Sequence, residues 1–235
     1  MCVVEGGSMR GSVVFMFLAL FGMTVCTPPK PSLSYQEQQK KEIVENLERK
    51  TVALVDLDKS GNLHPYCSGV WVSKNAILTA NHCVNKDETA TIEKIVLFQD
   101  YKDQTKVVRV AIVSATDSDN DLALIVATVP PDDHPIALLS QVDVWDGQKV
   151  GIVGHTVGLW WSYSEGVISS TRNDVGKFSK LLQISSPAWF GNSGGGAFDE
   201  EGNMVGMCSW IMGKAPMMTF FIHRDAIKKF LDANL

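Results

Sequence analysis

The stretch "PAWFGNSGGGAF", Pro187 to Phe198, sets one serine, Ser193, among four glycines. A serine hydroxyl is a poor nucleophile until an imidazole can take its proton, and the imidazole works best when a carboxylate fixes its tautomer and stabilises its charged form. Both groups occur upstream. "AILTANHCV" ends an apolar run on His82, and "DSDNDLALIV" sets Asp121 directly before another. Asp117 and Asp119 compete for the role of the acid, but they read as solvated loop while Asp121 abuts the strand. Acyl transfer also develops negative charge on the carbonyl oxygen, so backbone N–H groups must already point at that position; a glycine turn leading into the serine allows this. Gly191 and Ser193 are the expected donors.

The elements that must carry these groups are strands. From Thr51 onward come "TVALVDL", "GVWV", "AILTA", "KIVLF", "VVRVAIV" and "LALIVATV", separated by turn residues such as "DKSGN". No helical period interrupts them as a βαβ fold would require, which predicts an all-β barrel or sandwich. A second set, "KVGIVG", "EGVISS", "LLQISS", "GGAF", "NMVGMCSW" and "MTFFI", follows a Pro-rich segment at 130–141, the expected seam. Base and acid then belong to a first β unit, about 51–129, and the nucleophile to a second, about 142–222. Residues 35–50, "YQEQQKKEIVENLERK", are dense in helix formers with a narrow stripe of Ile43, Val44 and Leu47, so 27–50 reads as a Pro-rich linker and helix. The chain closes on a second helix, with Ile227, Phe230 and Leu231 at helical spacing.

A net charge of −5 without any long Lys/Arg run gives no footprint for nucleic acid. The apolar run from Val13 to Val25, after Arg10, falls short of the ~20 residues that span a bilayer and has the length of a signal-peptide core. Residues 1–26 are therefore expected to direct export. Cys26 ends the run where a lipoprotein carries its lipid, although Val25 and Met23 depart from the usual pattern; membrane attachment through Cys26 and plain secretion stand as alternatives. His64, His134, His155 and His223 lie beside turns or prolines without zinc-like spacing, so they read as surface or loop histidines, with no metal and no cofactor expected. Trp160 and Trp161 either rim a cleft or pack a barrel.

"LTANHCV", "DLALI" and "GNSGGGAF" together resemble the trypsin-like (chymotrypsin-fold) serine peptidases over nearly all of residues 51–235. "VGIVGHTVGLWWSYSEGVISS" and "NMVGMCSW" are most similar to the Deg/HtrA-type branch. The resemblance implies two packed antiparallel β-barrels with a short C-terminal helix and an N-terminal helical linker. It also implies a serine endopeptidase with His82, Asp121 and Ser193 as its triad, acting on extracytoplasmic polypeptides from a periplasmic, secreted or lipid-anchored position. Many such enzymes have a disulfide where Cys67 and Cys83 stand, a pairing that suits an oxidising compartment; Cys208 then reads as a small buried hydrophobe. By the same resemblance Pro187, Ser209, Trp210 and Ile211, with Met217 nearby, wall the pocket for the side chain before the cut bond. None is charged, which implies cleavage after small or medium aliphatic residues.

Three departures accompany the resemblance. The chain ends about 40 residues after Ser193, so the PDZ domain common in that branch is not expected. Asn192 replaces the aspartate that pairs with a freshly cut N-terminus in digestive enzymes, and His155 stands where relatives commonly have asparagine. The competing function is a catalytically silent protein on the same fold, binding extended polypeptide as an added strand. A glutamate-specific protease is disfavoured by Ser209, where that group has histidine.

Overall fold

The computed structural model describes residues 32–87, 90–91, 94–98, 108–211 and 217–235. The expected export segment and Cys26 lie outside the described residues. The first element is α1 (Tyr35–Lys50), started by a capping box in which Ser34 Oγ accepts from the Glu37 amide and the Ser34 amide donates to the Glu37 carboxylate. Its last residue abuts β1 (Thr51–Leu57) with no intervening loop.

The β-rich runs become β2 (Leu63–Trp71) and β3 (Ala76–Ala80), followed by a one-turn helix α2 (Asn81–Val84) and a small ribbon, β4 (Asn85–Asp87) with β5 (Ala90–Thr91). Then come β6 (Lys94–Phe98), β7 (Val108–Asp117) and β8 (Leu122–Ala127). These strands pair antiparallel in the order β1-β2-β3-β8-β7-β6 and close on themselves. The second half supplies β9 (Lys149–Gly154), β10 (Ser162–Val175), β11 (Phe178–Ser185), β12 (Gly196–Phe198), β13 (Met204–Ile211) and β14 (Thr219–His223). They close in the order β10-β11-β14-β13-β12-β9. The fold is therefore two closed antiparallel barrels, ended by α3 (Arg224–Asn234), whose Ile227 and Phe230 are buried.

Trp71, Ile77, Leu78, Leu97, Leu122 and Leu124 belong to one core and Val150, Ile152, Ile168, Leu182, Ile184 and Phe221 to another. Each such side chain contributes roughly 1.5–3 kcal/mol by leaving water. β3 is buried at every residue, as a strand must be when one face fills its own barrel and the other meets a neighbouring element. It pairs with β8 in the register Ala80↔Leu122. That register sets the residues just past the end of β3 beside those just before β8, which is where His82 and Asp121 lie.

The helices fasten the halves. Lys50 Nζ donates to the Gly202 carbonyl at 3.0 Å and Trp161 Nε1 to the Glu48 carbonyl at 3.1 Å, so the C-terminal end of α1 is held by the second barrel. At α3, His223 Nδ1 accepts from the Asp225 amide at 3.0 Å as the N-cap, and Arg224 donates to the Ser140 carbonyl and the Asp143 carboxylate in the segment between the barrels. Among the described residues no helix is long and apolar enough to cross a membrane.

Cys67 of β2 and Cys83 of α2 are joined by a disulfide with a Cα–Cα distance of 6.1 Å, both cysteines being buried. Cys208 is a free, buried thiol pushed up to about 12 by burial and by the Asp121 charge, consistent with its reading as a packed apolar group. The disulfide closes a loop of 16 residues. Paired Cys67→Ala and Cys83→Ala substitutions should therefore lower stability by ~3 kcal/mol. Urea unfolding of the oxidised protein and the double variant measures this as a shift in midpoint at constant slope; equal midpoints would show that the cross-link contributes nothing.

Candidate active site

His82 sits in the first turn of α2. Its amide donates to Asp121 Oδ1 at 2.9 Å, and its ring Nδ1 lies 2.8 Å from Asp121 Oδ2. Because the carboxylate can only accept when ionised, Nδ1 carries a proton, and the neutral form of the ring has its lone pair on Nε2. Asp121 is buried with φ +55°, a left-handed conformation that aspartate tolerates better than most residues. A further donor reaches it from β13, Ser209 Oγ at 2.5 Å from Oδ2. Burial alone would raise the Asp121 carboxyl, but the bonds from the His82 ring, Ser209 and the His82 amide outweigh it and hold the group below its ordinary value. The competing acids are accounted for differently: Asp117 accepts from the amides of Asp119 and Asn120 and from the Asn120 side chain, closing its own turn, and Asp119 is exposed.

His82, Asp121, Ser193, Ser209 and Trp210 line one cleft of about 620 Å3, together with Lys177, Phe178, Trp189, Phe190 and Cys208. The Ser193 hydroxyl donates to the Ser209 carbonyl at 3.4 Å, a long contact.

The turn before the serine has a definite geometry. The Asn192 amide donates to the Trp189 carbonyl at 3.1 Å, and Gly191, third of the four residues, has φ +96°. A side chain there would overlap the His155 carbonyl oxygen, so glycine is required. The Phe190 carbonyl is held by the Val157 amide at 2.7 Å and the Asn192 carbonyl by the Gly195 amide at 2.8 Å. In a trans peptide the C=O and N–H point in opposite directions. Both carbonyls being held by neighbouring amides, the Gly191 and Ser193 N–H groups point the opposite way.

Two residues that the sequence did not single out as functional hold this turn. Ser68 of β2 donates its amide to the Ser193 carbonyl at 2.8 Å and its hydroxyl to the Gly191 carbonyl at 2.7 Å. The same hydroxyl oxygen lies 3.1 Å from the His155 amide and 3.0 Å from His155 Nδ1. Since its one proton goes to Gly191, both His155 groups must donate, which fixes the Nδ1–H tautomer. His155 Nε2 is then a buried lone pair without a hydrogen-bond partner among the described residues, set beside the rings of Trp160 and Trp161. Burial pushes the imidazole down to about 3 and keeps it neutral. His155 does lie in the loop after β9 but is fully buried, and His223, expected at the surface or in a loop, is instead the buried last residue of β14.

A model of the trypsin-like peptidase domain matches residues 67–207, which carry all three motifs. The chain belongs to the trypsin-like peptidases. The peptidase is 26% identical over 191 residues to a probable periplasmic serine endoprotease DegP-like of Bartonella henselae, covering 77% of this chain and 35% of that protein. It is 28% identical over 132 residues to the chloroplastic protease Do-like 1 of Arabidopsis thaliana, covering 52% of this chain and 30% of the other. It thus spans about a third of the length of these curated relatives. Among solved structures, the HtrA-type protease AlgW with decapeptide superposes with a TM-score of 0.70 at 19% identity, over 83% of this chain and 66% of that one. Rv3671c of M. tuberculosis H37Rv gives 0.66 at 15% identity, over 87% and 96%. The two-barrel fold is that of the HtrA-type proteases.

Within this trypsin-like peptidase the expected pocket residues divide. Ser209 and Trp210 line the cleft, Trp210 stacked on Phe220 with ring centroids 4.3 Å apart. Pro187 is exposed and is not among the residues lining the cleft, and Met217 is exposed. Ile211 pairs with Thr219 through its backbone; its side chain lies outside the described residues. Asn192 is buried and accepts from Thr156 Oγ1 at 2.8 Å, a neutral contact in the place of an ion pair. Trp161 packs and caps α1, while Trp160 is partly exposed. Cys67, His82 and Cys83 offer donor atoms within 4.8 Å of one another, but the sulfurs are bonded to each other and present no thiolate to a metal.

The neutral His155 has a consequence for acid stability. The unfolded imidazole takes up a proton near its ordinary value of 6.5, whereas the folded one does so only near 3. Between these values the unfolded state binds more protons, so stability falls as pH falls, by up to about 1.4 kcal/mol per pH unit. Asp121 adds its own loss only below the ordinary carboxylate range. Denaturant unfolding followed from pH 7 downward should show His155→Asn with a shallower slope than the parent; parallel slopes would mean that His155 is not the buried neutral group.

Proposed function

We propose that this peptidase is a serine endopeptidase that hydrolyses polypeptides outside the cytoplasm through an acyl-enzyme. The observation that carries the reading is the His82 Nδ1–Asp121 Oδ2 hydrogen bond in a cleft shared with Ser193. It leaves the imidazole with a basic nitrogen on its cleft side. Ser193 Oγ attacks the scissile carbonyl carbon while His82 Nε2 takes the hydroxyl proton. The oxyanion forms against the N–H groups of Gly191 and Ser193, which need no reorganisation because their peptide planes are already pinned. His82 then gives the proton to the departing amine, and water repeats the sequence on the ester. Asp121 stays ionised throughout and keeps the imidazole in register.

Among the described lining residues Asp121 is the one carboxylate, and it is fully engaged with His82 and Ser209. A lysine or arginine before the cut bond would enter without a partner, at a cost of several kcal/mol. The aromatic walls of Phe178, Trp189 and Trp210, and the Lys177 ammonium beside them, likewise disfavour a cationic side chain. The solved relative with a bound decapeptide supports polypeptide as the ligand class. The periplasmic relatives, the apolar N-terminal run and the disulfide support an extracytoplasmic setting.

A fluorophosphonate probe should label the wild-type protein and leave Ser193→Ala unlabelled, and turnover of unfolded casein should fall by roughly 10⁴-fold or more in Ser193→Ala or His82→Ala. Absence of labelling in the wild type would favour the silent, strand-binding alternative. Ser68→Ala tests the pinned turn: kcat should drop by up to ~10²-fold, as for a misplaced catalytic group, with little change in KM. A rise in KM at constant kcat would instead assign Ser68 to substrate binding.

A further inference from the structure

Cys67 of β2 meets His82 and Cys83, two neighbours in the single turn of α2. Their sulfurs and one ring nitrogen of His82 lie within 4.8 Å of one another. The group abuts Ser193, whose carbonyl oxygen is 3.8 Å from Cys83 Sγ. Joined as a disulfide, the sulfurs present no thiolate and bind no ion. The disulfide is a product of oxidation, however. In a newly made chain, and in any compartment that keeps thiols reduced, both residues carry S–H groups. The same three atoms then have a different chemistry.

Two thiolates and an imidazole are a donor set suited to zinc and unsuited to harder ions such as calcium or magnesium. Zinc holds thiolate sulfur at ~2.3 Å and imidazole nitrogen at ~2.0–2.1 Å in a tetrahedron, and beside three protein ligands it keeps a water in the fourth position. Two ligands of one such ion stand roughly 3.5–3.8 Å apart, so a set already within 4.8 Å needs side-chain adjustments of about an ångström. Both cysteines are buried, whereas the His82 side chain lines the cleft and is 47% exposed. The ion therefore enters from the cleft and is shielded from water on its sulfur side. The imidazole is also prepared for it. A metal-bound histidine commonly donates its other ring N–H to a carboxylate, which fixes the tautomer and makes the bound nitrogen more basic. The Nδ1–H of His82 is held in this way by Asp121 at 2.8 Å, and Nε2 is the nitrogen left to bind.

We propose that the dithiol form of this protein has a zinc site made of Cys67 Sγ, Cys83 Sγ and His82 Nε2, completed by water. Its effect on activity rests on the peptidase reading above. Nε2 is the atom that takes the Ser193 proton, so once it is coordinated it has no lone pair to offer and the enzyme is silent. Binding releases the two thiol protons. Oxidation by a small-molecule disulfide reverses it: the Cys67–Cys83 bond forms, the small disulfide takes up two electrons and two protons and leaves as two thiols, zinc is set free, and Nε2 regains its lone pair. The cross-link and the ion are thus alternative occupants of one position. A chain folded in a reducing compartment is masked, and oxidation unmasks it.

Cobalt(II), which replaces zinc and absorbs through thiolate-to-metal charge transfer, is the probe for the site. Protein reduced with a phosphine and freed of metal should develop that absorption with an end point at one ion per chain, and zinc should abolish it by displacement. His82→Ala should shift the bands and weaken binding, and the double variant Cys67→Ser with Cys83→Ser should give no band. In parallel, stoichiometric zinc should remove fluorophosphonate labelling from the reduced protein alone. The oxidised protein and the double variant should keep theirs, and a small-molecule disulfide should restore labelling to the zinc-loaded protein. A reduced protein without the thiolate band, a band indifferent to His82→Ala, or a zinc-loaded protein lacking the near-UV circular dichroism of the oxidised one would each overturn the site. Zinc that silences oxidised and reduced protein alike would overturn the exchange between ion and cross-link. No labelling of the oxidised, metal-free protein would remove the peptidase reading and the masking with it, while the cobalt spectrum decides the site by itself.

Discussion

Ser68 is hydrogen-bonded through its amide, its carbonyl and its hydroxyl, and the amide and hydroxyl bonds cross from the first barrel to the turn that carries Ser193 in the second. Its carbonyl accepts from Thr79 Oγ1 at 2.7 Å, three residues before His82 in the chain, so the same residue is tied to the strand that leads to His82. A site divided between two barrels has to be held within roughly 0.5 Å of working geometry. Apolar packing alone does not specify such a position, because it is not directional. Hydrogen bonds in a buried seam do. The absence of a side chain at Gly194, where one would overlap the Ser68 carbonyl and crowd Thr79, is the steric counterpart of the same arrangement.

The buried charge of Asp121 imposes a second constraint. Taken from water without partners it would cost several kcal/mol, yet it receives hydrogen bonds from groups at the end of β3 and on β13. Any displacement of one barrel against the other would separate the carboxylate from Ser209. Stability of the charge and alignment of the imidazole therefore depend on one set of contacts, which couples the seam to the chemistry.

The sequence makes some of this legible and hides the rest for physical reasons. Strands betray themselves through local runs of β-branched and apolar residues, and an antiparallel pairing of "AILTA" with "LALIV" brings His82 and Asp121 together across 39 residues. The glycines announce the turn before Ser193 because positive φ is a local property. Ser68 is invisible in the same sense: its partners His155 and Gly191 lie 87 and 123 residues away, and a serine in "YCSGVW" reads like any strand residue. His155 sits among turn formers and reads as a loop histidine, but barrel closure buries it beneath two tryptophans. Pro187 reads as a pocket wall by resemblance, yet the tight reversal at 189–192 directs Trp189 and Phe190 into the cleft in its place.

The disulfide joins residues that both belong to the hairpin of β2 and β3 and its short helical extension. It requires nothing beyond residue 84, and the barrel around it closes using strands that end at Ala127. A chain emerging N-terminus first from a ribosome therefore presents every strand of the first barrel, with His82 and Asp121, before Ser193 has appeared. The second barrel then brings Ser209 to Asp121 and the Gly191 carbonyl to Ser68. In that order the scaffold precedes the cleft, whose lining needs Ser193, Ser209 and Trp210 from the second half of the chain.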